Sequence, residues 1–242
     1  MLVCMTSSRA RAEAALLAAL ASLVADETRA AVLLALLDGR AWTAGELARY
    51  AGVAASTASE HLGKLVAGGL LAEERQGRHR YVRLADARVA QLVEDLAAQV
   101  APASAARPRT LRESSAGSAM ARGRTCYDHL AGRLGIAVTD ALTGLGLLRQ
   151  DTGFALTDEG VHWFDGLGVP LVRTGRRPLA RACLDWTERR PHLAGVAGAA
   201  LCRHALDAGW CVRIGSERAV KVTDKGERVL AELLGIQAAA LR

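Results

Sequence analysis

The segment from Ala44 to Leu84 constrains the fold more than any other part of the chain. Ala44–Ala51 reads as a short helix that Gly52 breaks, and a second helix runs from about Ser56 to Ala67 until Gly68 and Gly69 stop it. In the second helix Ala58, Leu62, Leu65 and Val66 share one face at helical spacing, which marks that face as the inward one. Leu70–Leu84 then sets two short extended runs around Gly77, the pattern of a β-hairpin, with Arg and His crowding its tip and return strand. The order is helix, turn, helix, basic hairpin.

Helices flank this unit on both sides. Leu16, Leu20, Leu23 and Val24 recur on one face of an amphipathic helix. Arg9 and Arg11 ahead of Ala14–Ala25 imitate a secretion signal, but Glu13 interrupts it and the leucine spacing is helical, so a folded element is the better reading. Asp26 caps a second helix reaching Leu37, and Gly39 ends it. After the hairpin Asp86 opens a helix in which Val89, Leu92, Val93, Leu96 and Val100 repeat on one face, a stripe that needs a second subunit or the first helix against it.

Composition agrees with a mainly α chain of two domains. Of its 242 residues 51% are hydrophobic, and Ala and Leu supply much of that with few β-branched runs. The net charge of +6 permits nucleic-acid binding without establishing it. No apolar run approaches the roughly 18 residues of a membrane span. The five cysteines are odd in number and lack C-x-x-C spacing, which suits free thiols and a cytoplasmic location rather than a disulfide framework.

The blocks Val24–Arg29, Gly45–Ala48, Ser56–Leu62, Gly69–Leu71 and Gly77–Leu84 together resemble the ArsR/SmtB family of winged-helix regulators over roughly residues 14–100. The resemblance implies a homodimeric winged helix-turn-helix that represses double-stranded operator DNA until an effector releases it. A helix entering the major groove needs short polar residues at its start. Ser56, Thr57, Ser59 and Glu60 meet that need, with His61 and Lys64 further along. On the wing, Arg75, Gln76, Arg78, His79 and Arg80 suit phosphates or the minor groove. Ala54 and Ala55 depart from the family pattern and remove a helix N-cap, worth about 1 kcal/mol.

The metal sites usual in this family are absent. Trp42–Leu47, where paired cysteines would stand, has no thiol, and Asp86–Val100 has no histidine. Cys4 reads as a bystander. No cofactor is expected, and nothing resembles a nucleotide loop, a nucleophile elbow or a zinc-protease helix, so the chain is expected not to be an enzyme.

Residues 1–100 are thus assigned to DNA binding and dimerisation, 101–113 to a linker rich in Ala, Pro, Arg and Ser, and 114–242 to a sensor domain. The last contains a repeat. Tyr127–Gly135 parallels Arg190–Gly198, which sets His129 and His192 63 positions apart. Gly146 and Gly209 keep that spacing, and Leu156–Gly160 parallels Val222–Gly226 at a slightly wider one. Each copy reads as a helix, a strand pair and a terminal helix capped by Thr-Asp, so the C-terminal domain is expected to be two winged-helix-like halves sharing an apolar face. Cys126-Tyr127-Asp128-His129 and Cys183-Leu184-Asp185-Trp186 share a Cys-x-Asp pattern, but at a spacing of 57 that is out of register with the repeat. With His192, these residues are candidates for binding an effector. Four readings stand open: purely structural roles, an organic small-molecule pocket lined by Trp163, Trp186 and Trp210, a tetrahedral metal or metalloid site at Cys126, His129, Cys183 and His192, and thiols reactive beside Arg.

Overall fold

The computed structural model describes residues 2–76, 79–100, 111–151, 153–173, 177–215 and 218–241. They fall into two compact units, Met1–Val89 and Ala90–Arg242.

The first unit contains α1 (Leu2–Val24), α2 (Glu27–Ala35) with a 3₁₀ turn at Leu36–Asp38, β1 (Trp42–Thr43), α3 (Ala44–Ala51), α4 (Ala55–Ala67), β2 (Leu71–Gln76) and β3 (His79–Leu84). Its boundaries follow local chemistry. The Asp26 carboxylate accepts the Arg29 N–H at 2.9 Å to start α2. Thr43 and Glu46 close a reciprocal capping box on α3, which Gly52 ends in the left-handed region. The strands form one antiparallel sheet in the order β1-β3-β2, with β2 and β3 in register from Leu71↔Leu84 to Gln76↔His79. Val32, Leu33, Leu36, Leu37, Leu47, Leu62 and Leu65 are buried beneath it with Leu71 and Val82. This is a helix-turn-helix with a β wing.

Helix α5 (Ala87–Gln99) begins on the Asp86 carboxylate, which accepts the Arg88 and Val89 N–H groups. From Ala90 onward it groups with the second unit, because its buried face is Ala90, Val93, Glu94 and Ala98. The stripe read from sequence coincides with that face only at Val93; Leu96 and Val100 stay 45% and 63% exposed.

Helix α6 (Leu111–Arg122) starts inside the stretch read as linker, and residues 101–110 lie outside the described residues. Two parallel runs follow. The first is β4 (Arg124–Cys126), β5 (His129–Ala131), α7 (Gly132–Gly144), β6 (Leu148–Arg149), β7 (Ala155–Leu156) and α8 (Asp158–Gly166). The second is β8 (Arg181–Leu184), β9 (Pro191–Ala194), α9 (Gly195–Asp207), β10 (Cys211–Arg213), β11 (Val220–Val222) and α10 (Asp224–Leu234). Each run is hairpin, helix, hairpin, helix. Thr157 and Thr223 cap α8 and α10 by accepting the Gly160 and Gly226 N–H groups. The opening hairpins are absent from the sequence reading, since strands of three or four residues leave no alternating pattern to detect. Leu134, Val138 and Leu142 of α7 pack with Ala197, Leu201 and Ala205 of α9 in one core that also takes Phe164, Trp210 and Leu230.

Candidate functional site

On α4 the inward face holds Ala58, Leu62 and Leu65, all fully buried, and the outward face exposes Ser56, Ser59, Glu60 and Lys64. Lys64 pairs with Glu60 one turn back at 2.7 Å. Thr57 is half-buried. His61 turns inward, its Nδ1 3.5 Å from Asp26 and 3.3 Å from Arg29, so α2 holds it away from the outward face. Ala54 precedes the helix without a side-chain cap. On the wing Arg75 is exposed, Arg80 pairs with Glu73, and Gln76 and His79 complete the ladder. Arg78 lies outside the described residues.

The second unit gathers into one buried centre the four residues that sequence offered as one of its open readings, Cys126, His129, Cys183 and His192. In the β4–β5 hairpin Cys126 stands opposite His129, and in the β8–β9 hairpin Cys183 stands opposite His192. The two Cys–His pairs are therefore equivalent. Their spacings differ, 57 against 63, because the second hairpin carries the longer loop. The apparent mismatch of the Cys-x-Asp likeness with the repeat is a loop-length effect and is corrected on that ground. The hairpins meet so that the two sulfurs lie 3.8 Å apart and the two Nε2 atoms 3.1 Å apart. All four side chains are buried, and one ligand atom from each falls within 4.8 Å of all the others.

Glycines make that approach close. Gly132 and Gly195 take positive φ, at 70° and 86°, to turn each hairpin into its helix. Three residues on, a Cβ at Gly198 would come within 3.2 Å of His129 Cβ, and one at Gly135 within 3.7 Å of His192 Cβ. Each half thus makes room for the other half's histidine, which explains the repeated His-Leu-Ala-Gly-x-x-Gly.

A layer of polar groups orients the centre. Asp128 lies 3.4 Å from His129 Nδ1 and is held by Arg177 through two bonds of 2.6 and 2.8 Å. Asp185 lies 3.3 Å from His192 Nδ1, without hydrogen-bond alignment, and accepts the Gly132 N–H at 2.7 Å. Gln91 of α5 bridges the sulfurs: the Cys126 thiol donates to its carbonyl at 3.0 Å, and its amide donates to Cys183 at 3.7 Å. Arg124, wholly buried, spans Asp185 at 2.9 Å and Glu94 at 3.2 Å, and Glu94 also receives Arg218 and the Trp186 indole.

The electrostatics follow from these contacts. Burial works against the Asp185 and Asp128 carboxylates, but Arg124 with the Thr187 and Gly132 hydrogen bonds holds the first, and Arg177 with His129 the second, well below the ordinary carboxylate range. Contact with the Cys126 sulfur, and with the two imidazoles, pulls the Cys183 thiol down, and Cys126 is pushed up as its partner. Burial opposes charging His129, yet Asp128 and Cys183 raise it overall.

Of the predicted effector residues, Cys126, His129, Cys183 and His192 form the centre and Asp128 and Asp185 flank it. Tyr127 is 44% exposed in the first hairpin's turn. The three tryptophans read as lining one pocket have separate surroundings: Trp210 and Trp163 belong to the hydrophobic core, and Trp186 donates to Glu94 and lies under the Arg124 guanidinium. An open cleft of about 510 Å³ is instead lined by Tyr127, Asp128, Arg177, Arg203 and Arg213 among others. Sequence reading missed Gln91, Glu94, Arg124 and Arg177. They come from other segments and carry no shared spacing; only a glutamate on the apolar side of α5 hints that a buried partner exists.

A helix-turn-helix domain model matches residues 24–74. The chain is 41% identical over 224 residues to YdfF of Bacillus subtilis, an uncharacterized HTH-type transcriptional regulator, covering 91% of this chain and 98% of that protein. It is 34% identical over 104 residues to the HTH-type transcriptional regulator CmtR of Mycobacterium bovis, covering 43% of this chain and 87% of the relative. Among solved structures, the homodimeric winged helix-turn-helix DNA-binding domain of Mb0332 from Mycobacterium bovis aligns at 30% identity and a TM-score of 0.33, over 35% of this chain and 78% of its own. The YdfF match spans nearly both chains, C-terminal half included, and with the winged helix-turn-helix in place the chain belongs to the HTH-type transcriptional regulators.

Proposed function

We propose that the protein is a homodimeric repressor that reads double-stranded operator DNA with α4, steadies itself with the wing, and lets go when the C-terminal unit takes up an effector. One observation carries the reading: α4 is anchored by Ala58, Leu62 and Leu65 while Ser56, Ser59, Glu60 and Lys64 remain exposed on the opposite face. Short polar groups on an anchored helix reach base edges, and Lys64 and Arg75 reach phosphates. The exposed Leu96 of α5 and Val100 just after it, and separately Leu16 and Leu17 of α1, each supply apolar surface for a second subunit. The two runs of the C-terminal unit act as winged-helix-like halves turned from DNA contact to sensing. No catalytic role is assigned to them.

Fluorescence anisotropy of labelled upstream DNA tests this. Affinity falls steeply with salt and exceeds that for random duplex; Lys64→Ala weakens binding to all sequences and lowers the salt slope by about 1. Ser59→Ala weakens operator binding selectively. Equal affinity for random DNA at every salt concentration overturns the reading.

A further inference from the structure

We infer that Cys126, His129, Cys183 and His192 form a closed tetrahedral site for a zinc(II)-class ion, one that clamps the two halves of the C-terminal unit together. This goes beyond DNA binding and does not depend on it.

Geometry comes first. With metal–sulfur bonds near 2.3 Å and metal–nitrogen bonds near 2.0–2.1 Å, a regular tetrahedron has a sulfur–sulfur edge of about 3.8 Å and a nitrogen–nitrogen edge of about 3.3 Å. The sulfurs here are 3.8 Å apart and the Nε2 atoms 3.1 Å apart. That sulfur separation is far beyond the roughly 2.05 Å of a disulfide. Four donors from four strands of two hairpins thus lie within 4.8 Å of one another, with two opposite edges near the lengths a coordination tetrahedron needs.

Charge comes second. Binding turns both thiols into thiolates, releases their two protons, and leaves each imidazole neutral with Nε2 as ligand. Two thiolates cancel a dication, so the buried centre is neutral overall, which a desolvated site requires. Without an ion, two facing Nε2 atoms share at most one hydrogen bond between them.

The surrounding groups fit third. A histidine ligand commonly has its other nitrogen facing a carboxylate, and here His129 Nδ1 faces Asp128 while His192 Nδ1 faces Asp185. The Gln91 amide lies on Cys183 as a donor to a ligating sulfur. Two sulfurs and two imidazoles select a borderline-soft ion over calcium or magnesium, and four protein ligands leave no open position for catalysis. The site is distinct from the positions where the family resemblance places metal ligands, at Trp42–Leu47 and Asp86–Val100, neither of which contributes a ligand.

The test uses the full-length protein, reduced and stripped of metal, titrated with cobalt(II) and then zinc(II). The expected result is one cobalt per chain, with sulfur-to-cobalt charge transfer and the intense visible bands of a tetrahedral ion, both erased by zinc. Cys126→Ser and Cys183→Ser each abolish the tetrahedral spectrum, and Cys202→Ser preserves it. Asp128→Asn lowers zinc affinity by about 10–100-fold while keeping one-to-one binding. Because the wild-type spectrum alone is decisive, a cysteine variant that fails to fold does not shield the proposal. Weak octahedral bands, no uptake, or an undiminished tetrahedral spectrum in the Cys126→Ser Cys183→Ser double variant overturns it. So does recovery of a Cys126–Cys183 disulfide from protein that takes up no metal under reducing conditions. DNA affinity is read separately, so loss of operator binding leaves this result intact and the reverse also holds.

Discussion

Arg124 shows how much a single residue can hold. Its guanidinium is fully buried between Glu94 and Asp185; if it goes, Asp185 loses its arginine partner and Glu94 keeps Arg218 to balance it. Removing one member of a buried ionic network leaves desolvated charge behind, at a cost of about 3–5 kcal/mol. Arg124→Ala is therefore expected to destabilise the C-terminal unit by that amount, measured by urea unfolding followed through tryptophan fluorescence. A loss below about 1 kcal/mol would mean water reaches the site. The cysteines divide at this same scale. Burial pushes the Cys202 and Cys211 thiols up to about 12, leaving almost no thiolate near neutral pH. Both are expected to resist iodoacetamide at pH 8 in the folded protein, as peptide mass mapping would show, and rapid labelling of either contradicts their burial. Sequence marked Cys126, His129, Cys183 and His192 as candidates but offered no way to name Arg124 or Gln91, because their roles arise from contacts made across long stretches of chain.

Among the elements, α4 was legible in advance to within a residue of its start. Glycines stop it and leucines at helical spacing bury one side. Its missing cap was legible too. Ala54 holds the extended backbone of an N-cap without a side chain to accept the orphan N–H groups. Ala54→Ser is expected to raise stability by about 1 kcal/mol in thermal unfolding; no change would mean water or another group already serves those donors. The β4–β5 and β8–β9 hairpins were not legible. They exist because α7 and α9 pack together and bring the strands face to face, with Gly135 and Gly198 opening the space. Gly198→Ala forces a methyl against Leu193 O and His129 Cβ, and overpacking of this kind costs about 1–3 kcal/mol. It is expected to lower the melting temperature and to weaken metal uptake together, whereas an unaltered melt would show that the backbone yields freely.

At the scale of the whole molecule the chain comprises two units, with α5 crossing the division at Ala90. The apolar stripe on α5 reads from sequence as one surface, yet the fold divides it. Val93 is buried, and Leu96 and Val100 stay exposed. A stripe shared in this way fits a helix serving its own unit on one side and a second copy on the other. Leu96→Glu is expected to shift the protein from dimer toward monomer in light scattering after size exclusion, and a persistent dimer would move the interface elsewhere. The residues 101–113 read as linker are half legible: proline and small polar residues signal a break, and Thr110-Leu111-Arg112-Glu113, a T-x-x-E pattern that the linker reading passes over, marks the helix start at Leu111.

Local chemistry written into adjacent residues decided the winged helix-turn-helix, its caps, its outward polar face and the twofold repeat downstream. Helix periodicity and glycine stops act over a turn or two, so a linear reading reaches them. What folding alone decided, among the readings left open for Cys126, His129, Cys183 and His192, is that the four converge. The symmetry of their centre was hidden by a loop of different length in the second hairpin, and its donors converge because two helices pack and carry four strands with them. Distance along the chain contains no record of that convergence, since it is the packing free energy of the shared core that sets where those strands meet.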